Sequence, residues 1–510
     1  MGKTYRTPGV YIQETNAFPN AVEGVKTAVP AFIGYTESSN NNGQSLLNKP
    51  IQINSLQEYE DFFGQGAQAT FSLVEVTKPT LTPANYDVKL GNKTYSLLVD
   101  HGTRFNLYES MKFFFQNGGG KCYVVSVGTY KDGVISPEFS ITPFLDGLEI
   151  LKKESEPTIL VIPDAVLLDD NNCYSLQEQM LNHCGELQNC FAILDIHSGD
   201  QDLDDPIFSP IDTFRNQVSS EFLSYGAAYY PWLNTTIVQA SEVNFTALNS
   251  SSRVILKSIC EDFINDSMDS SEKAIVKPFV DQLTAETRTQ LEIKKSDNVL
   301  RNMIPDYKLV MLEILQKKNV LPPSGAMAGI YCVVDAQRGV WKAPANVRVS
   351  SVVSPVIPID QDQQSDLNNP FGGKAVCAIR TFPGMGIMVW GARTLDANSL
   401  DWRYINVRRT MIMIEQSIKL AAKAYVFEPN DKNTWVSVQS IIENFMTSLW
   451  NQGALVGAKP SDAFAVRVGL GDTMTVADIS EGIMRVQILV AMLHSAEFIV
   501  ISFEQQMQKS

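Results

Sequence analysis

Four groupings of side chains in this sequence could do chemistry. The run Gly118, Gly119, Gly120, Lys121 has the look of a phosphate-binding loop, in which backbone amides cradle phosphates and a Lys neutralises them. That loop requires GxxxxGK followed by Ser or Thr; here Phe115 stands where the first Gly belongs and Cys122 follows the Lys. A tight helix-to-strand turn accounts for the glycines better. His183, Cys184 and Cys190 have metal-ligating chemistry, yet none of the four His residues sits in an HExxH or comparable spacing, and packing on or near one helix is the plainer account. Asp164 and Asp195 each follow an apolar run, where α/β enzymes place catalytic carboxylates. The same positions are where strands end and helices are capped, and no nucleotide fingerprint or basic partner accompanies them. Arg403, Arg408 and Arg409 gather near Asp396 and Asp401. Guanidinium groups bond carboxylates bidentately, so ion pairs within or between subunits are expected; cations at a helix start oppose the helix dipole, so something acidic should offset them. There is no GxSxG elbow. The residues therefore predict no catalytic, cofactor or metal site.

The elements that would position these groups follow from hydrophobic patterning. Residues 27–36, 122–127, 158–165 and 191–196 read as buried strands, interleaved with helices over 107–115 and 175–188, a βαβ-type alternation. Ser55 caps a short helix that Gly64 closes, with Glu58 at the capping-box position. Residues 77–95 read as an inserted loop or hairpin and 242–321 as mostly helical and polar. Further on, strands are expected at 329–334, 374–380 and 386–391, long helices at 402–425 and 435–450, and strands at 465–469 and 483–492. The second long helix presents Val438, Ile441, Ile442, Phe445 and Leu449 as its core face. Both ends of the chain read as strands, G-V-Y-I-Q-E at 9–14 and E-F-I-V-I-S-F-E-Q at 497–505. Apolar terminal strands leave unpaired backbone groups open to any partner strand, which a lone soluble protein avoids unless the strand is pledged to its own sheet or to a neighbouring copy. If both ends are donated, the product is a polymer.

At 510 residues with 44% apolar composition, the chain can build several cores. Its net charge of −15 is uneven: residues 330–510 carry 16 basic and 16 acidic side chains, so the whole excess lies in residues 1–329. An acidic part suits a solvated outer surface and lacks the basic stripe that nucleic acid requires; a neutral, mixed part suits packing against copies of itself. Seven scattered cysteines without a CxxC pair read as reduced, mostly buried thiols of a protein made in a cytoplasm. No apolar run is long enough to span a bilayer and the first residues lack a signal-peptide core, so assembly in a bacterial cytoplasm without membrane insertion is expected.

Five ordered motifs in the last third carry a resemblance: R-G-V-W-K-A-P-A-N at 338–346, V-W-G-A-R-T-L at 389–395, W-R-Y-I-N-V-R-R at 402–409, V-F-E-P-N at 426–430 and S-A-E-F-I-V at 495–500. With T-P-G-V-Y-I-Q-E at 7–14, F-F-Q-N-G-G-G-K-C-Y-V-V at 114–125 and S-Y-G-A-A-Y-Y-P-W-L at 224–233, the chain resembles the sheath proteins of contractile phage tails, R-type bacteriocins and extracellular contractile injection systems. It departs where N-N-P-F-G-G-K-A-V-C-A-I-R replaces a GVN-like stretch, and where Leu493, His494 and Ser495 replace prolines. These departures suggest one paralogue among several, as in injection systems resembling antifeeding prophages.

The resemblance implies an α/β, mixed α+β, multi-domain sheath fold: an inner α/β domain built from both termini, an inserted outer α/β domain, and arms that add strands to neighbouring subunits. Residues 1–37 would be the N-terminal linking arm and the first part of the inner domain. Residues 38–329 would be the acidic outer part, with 242–321 most variable, 330–494 the polymerising inner domain and 495–510 the C-terminal linking strand. Val10, Tyr11, Ile12 and Glu14 at one end and Phe498, Ile499, Val500, Ile501 and Phe503 at the other would link subunits. Trp390, Arg393, Asp396, Asp401, Trp402, Arg403, Arg408, Arg409 and Glu428 would pack and ion-pair the inner domain. Implied partners are other copies in stacked hexameric rings, an inner tube protein, sheath paralogues, and baseplate and terminal cap proteins. No cofactor, enzyme activity or nucleic acid is implied. The particle would be a phage tail or phage-tail-like device, with extracellular release in the second case.

Overall fold

The computed structural model describes residues 22–76, 87–91, 93–130, 140–205 and 208–498. The described residues form two compact units, one within residues 26–409 with 495–498, the other from residues 22–25 with 410–494.

The larger unit is built on a nine-stranded sheet. Its strand order is Val347–Arg348, Gly386–Val389, Val376–Phe382, Gly226–Tyr230, Phe191–Asp195, Ile159–Val161, Pro30–Thr36, Cys122–Thr129 and Pro50–Ile53. The six strands from Val376–Phe382 to Cys122–Thr129 run parallel, and antiparallel strands close both sides. Parallel strands covered on both faces must be apolar throughout. PAFIGYT, ILV, FAILD and GAAYY are accordingly buried at every position. On one face, Phe32, Val161, Ile193 and Tyr229 share a core with Phe114, Met327 and Tyr331. On the other, Ile33 and Val127 lie where a Cβ on Gly147 of helix Thr142–Leu151 would fall.

The predicted strand at 329–334 is instead the middle of helix Ser324–Arg338. This helix is buried nearly all round in its first two turns, so G-I-Y-C-V-V shows no helical stripe and resembles a central strand. Gly325 and Gly329, four residues apart, let it lie directly on helix Leu107–Gln116. A Cβ at either would stand 2.6 Å from the carbonyl oxygen of Ser110 or Phe114.

A second core in the same unit joins the three-stranded sheet Phe71–Glu75, Lys93–Val99, Asp87–Leu90 to helices Ser250–Ser267, Ser270–Asp281, Gln290–Met303 and Pro305–Lys318. The hairpin expected within 77–95 falls partly here, its residues 77–86 lying outside the described residues. Ser55 caps helix Leu56–Phe63 by accepting from the amide of Glu58, and Gly64 closes it at φ 77°.

In the smaller unit, helix Lys432–Asn451 buries Val438, Ile442, Phe445, Met446 and Leu449, with Asp431 accepting from the amides of Asn433 and Thr434 at its start. Strands Phe464–Arg467 and Gln487–Val490 pair antiparallel. Past Val490 the second strand is bridged on its other side, Leu455 against Met492 with the Val456 amide donating to Ala491 O, and Gln439 Nε2 donates to Val466 O of the first. The unit boundary falls within helix Ile405–Ala422.

Candidate inter-subunit linkage site

Val10, Tyr11, Ile12 and Glu14, and likewise Ile499, Val500, Ile501 and Phe503, lie outside the described residues. What is described is how the chain next to each terminal segment is held. At the N-terminal side, the Val25 amide donates to Ser417 Oγ at 3.0 Å. At the C-terminal side, Ser495 Oγ donates to Asn406 Oδ1 at 3.1 Å. The following residue but one, Glu497, accepts from Arg393 Nη2 at 2.6 Å and from Nε at 3.1 Å to each carboxylate oxygen. Arg393 spends Nη1 on Asn368 O and Asn369 Oδ1. Its side chain is 4% exposed and that of Glu497 13%. One residue later Phe498 is 76% exposed. The chain thus passes from a buried, charge-assisted clamp to solvent within a single residue.

The other arginines are also neutralised or enclosed. Arg409 grips both oxygens of Asp335 at 2.9 and 2.7 Å, donates to Thr27 O at 2.9 Å, and stacks 4.6 Å over the Tyr331 ring. Arg408 lies between the rings of Trp402 (3.6 Å) and Tyr225 (4.3 Å) and donates to Ser224 Oγ. Such faces favour a guanidinium through the ring quadrupole. Arg403 Nε donates to Ser399 O. Among the described residues neither Asp396 nor Asp401 pairs with these arginines; the offsetting carboxylates are Asp335 and Glu497. Asp335 sits on the helix that sequence reasoning took for a strand, and Glu497 is 104 residues from its partner, so neither spacing signalled a pair. Trp390 packs its ring 4.4 Å from Phe382, and Glu428 is an exposed residue of the smaller unit.

The two carboxylates weighed as catalytic are engaged by backbone amides. Asp164 accepts from Asn106 N at 2.6 Å and Tyr35 N at 3.1 Å; Asp195 accepts from Ser324 N at 2.8 Å. Each stands at the N-terminus of a helix, Leu107–Gln116 or Ser324–Arg338, that has no side-chain cap of its own. They supply remotely what a local cap would supply, an anion facing the positive end of the helix. Burial still raises both acids, Asp164 to about 6 and Asp195 to about 7. At the Gly-rich turn, Gly118 takes φ 86° behind helix Leu107–Gln116, and Lys121 bonds Glu156, as does the Tyr123 hydroxyl. These two bonds, Lys121 first, hold Glu156 down to about 2. Among the described residues no group of His, Cys, Asp and Glu could hold a metal ion, and no helix is long and apolar enough to cross a membrane.

The charged groups here serve as tethers and helix caps beside a nine-stranded mixed sheet. Residues 397–506 match the family described as the phage tail sheath C-terminal domain. A tail sheath protein of Burkholderia phage BcepMu is 29% identical over 143 residues, 27% of this chain and 30% of that protein, so the match spans about a third of the relative's length. Two solved sheaths align from end to end at 25% identity. The PVC sheath of an extracellular contractile injection system, in its contracted state, has a TM-score of 0.58 and covers 99% of both chains. The contracted helical sheath of the anti-feeding prophage has a TM-score of 0.59, covering 99% of this chain and 100% of its own. The fold is the mixed α/β fold of contractile injection-system sheaths, and the resemblance read from the sequence holds.

Proposed function

We propose that this chain is the building block of a contractile sheath: copies polymerise as stacked hexameric rings around an inner tube, rest in a metastable extended state, and shorten to drive the tube through a target envelope. The observation that carries this reading is the end-to-end likeness to contracted sheaths. One local feature agrees with it: both terminal segments are tied down just where they leave the described residues. The linking residues would be Val10, Tyr11, Ile12 and Glu14 with Phe498, Ile499, Val500, Ile501 and Phe503. Residues 330–494 would carry the inner polymerising surfaces and 38–329 the acidic outer ones, both parts contributing strands to the nine-stranded sheet of the larger unit. Contraction exchanges one set of subunit contacts for a denser set, so its energy is stored in the assembly and needs no cofactor or nucleotide. Partners are further copies, the tube protein, sheath paralogues, baseplate and terminal cap.

An injection particle is favoured over a phage tail because the solved sheaths that align with the whole chain come from an extracellular contractile injection system and the anti-feeding prophage. An α/β enzyme acting through Asp164 and Asp195 is disfavoured, since both carboxylates already serve helix ends. The deciding experiment is negative-stain electron microscopy of the intact chain and of a form lacking residues 497–510. Hollow ridged tubes from the first alone are expected. Discrete particles from both, with the neighbouring tube and sheath genes co-expressed, would overturn the proposal.

A further inference from the structure

Helix Asp170–Leu187 ends one turn after Cys184. Gln188 then turns through the left-handed region (φ 54°), and the chain re-enters the sheet at Phe191. That tight return brings Cys190 back onto Cys184, with their Sγ atoms 3.2 Å apart and both thiols free. Cys190 and His183 line a water-sized hollow of about 10 Å³ whose rim includes Glu154, Leu187 and Asn189. His183 is 6% exposed and keeps Nδ1 buried without a hydrogen-bond partner among the described residues. The two thiols are electrostatically unlike. Contact with Cys184, and next the His183 ring, draw Cys190 below its ordinary value, while burial pushes Cys184 well above it. A thiolate beside a protonated thiol is the pairing that thiol oxidation needs.

We propose that Cys184 and Cys190 form a reversible dithiol–disulfide site, oxidised by small peroxides that reach Cys190 through this hollow. The Cys190 thiolate attacks one peroxide oxygen; the O–O bond breaks, and the departing hydroxide takes up a proton and leaves as water. The Cys184 thiol attacks the resulting sulfenic sulfur, the S–S bond forms and a second water leaves. Two thiols and one hydrogen peroxide become one disulfide and two waters, two electrons passing from sulfur to oxygen. The bond clips the last turn of helix Asp170–Leu187 to the head of strand Phe191–Asp195, an inner strand of the sheet, and a reducing compartment opens it again.

The test treats the full chain with hydrogen peroxide under native conditions, then alkylates, weighs and maps it. The expected result is loss of two of the seven alkylatable thiols, a fall of about 2 Da before alkylation, a cross-link between the peptides holding residues 184 and 190, and recovery with dithiothreitol. Cys184→Ser should instead leave a sulfenic acid on Cys190 that dimedone traps. Equal oxidation of all seven cysteines, a cross-link elsewhere, or no thiol loss overturns the proposal. The map of the unaltered protein decides the matter even where a variant fails to fold.

Discussion

Replacing either partner of the clamp at Glu497 should have unequal effects, because one partner can leave and the other cannot. Arg393 is rooted in the body of its unit and 4% exposed; Glu497 lies on the outgoing segment, next to an exposed Phe498. In Glu497→Ala the guanidinium stays buried with only Asn368 O and Asn369 Oδ1 as polar partners. Removing one partner of a buried pair costs about 3–5 kcal/mol when the orphan must remain. The two surviving bonds bring the expectation to about 2–4 kcal/mol. In Arg393→Ala the carboxylate can swing into water. Its three charge-assisted bonds are exchanged for hydration, and the short segment around it regains roughly 1 kcal/mol of backbone freedom per residue. The net cost should be only about 1–2 kcal/mol. The double variant should cost less than the sum, with a coupling of roughly 1–3 kcal/mol. Both single variants should nonetheless lose tubes, since the C-terminal segment no longer starts from a fixed point. Urea unfolding followed by circular dichroism, with negative-stain microscopy of the same samples, measures both quantities. An Arg393→Ala penalty equal to or above that of Glu497→Ala, or normal tubes from both, would refute the reasoning.

Arg409→Lys should cost about 2–3 kcal/mol in urea unfolding despite keeping the charge, because a lysine cannot fork onto Asp335, reach Thr27 O and stack on Tyr331 at once. Gly329→Val should destabilise by more than about 3 kcal/mol, since its Cβ meets the carbonyl of Phe114 and backbone cannot yield as a side chain can; Gly120→Ala, with open space around it, serves as the silent control. Asp195 has its folded value raised to about 7 by burial. Its contribution to stability is therefore full below the unfolded value near 4 and is lost as pH rises through 7. Unfolding midpoints should fall between about pH 4 and pH 7 and level off above, and Asp195→Asn, which keeps the acceptor and removes the charge, should flatten that slope; an unchanged slope would place the titration elsewhere.

Much of the fold is legible in single residues and short periods. Apolar runs at 27–36, 122–127 and 191–196 read as buried strands of a βαβ-type alternation and lie on strands Pro30–Thr36, Cys122–Thr129 and Phe191–Asp195, and Ser55 with Gly64 marks both ends of a helix. The face Val438, Ile442, Phe445, Leu449 follows from helical spacing alone. Helix Ser324–Arg338 escaped because burial on all sides erases the polar face that distinguishes a helix from a central strand. The site was legible in its cations and not in its anions. Arginines cluster visibly, but Asp335 and Glu497 reach them through tertiary folding across 74 and 104 residues. Asp164 and Asp195 were visible as strand-end carboxylates. Their task, capping helices that begin 58 and 129 residues away, depends on which helix the sheet brings overhead.

The clamp also has a mechanical meaning. The backbone of Arg393 and its neighbours is fastened to the middle of the large sheet: Cys377 Sγ bonds Arg393 O at 3.2 Å, and Leu395 N donates to Gly226 O at 3.0 Å. Cys377 and Gly226 belong to adjacent inner strands. A pull on the chain beyond Glu497 is therefore shared between two strands flanked on both sides. A segment fastened to an edge strand would peel its hydrogen bonds one after another, at low force. Here tension applied to the C-terminal end is passed, through the Glu497–Arg393 pair, to two inner strands and not to an edge.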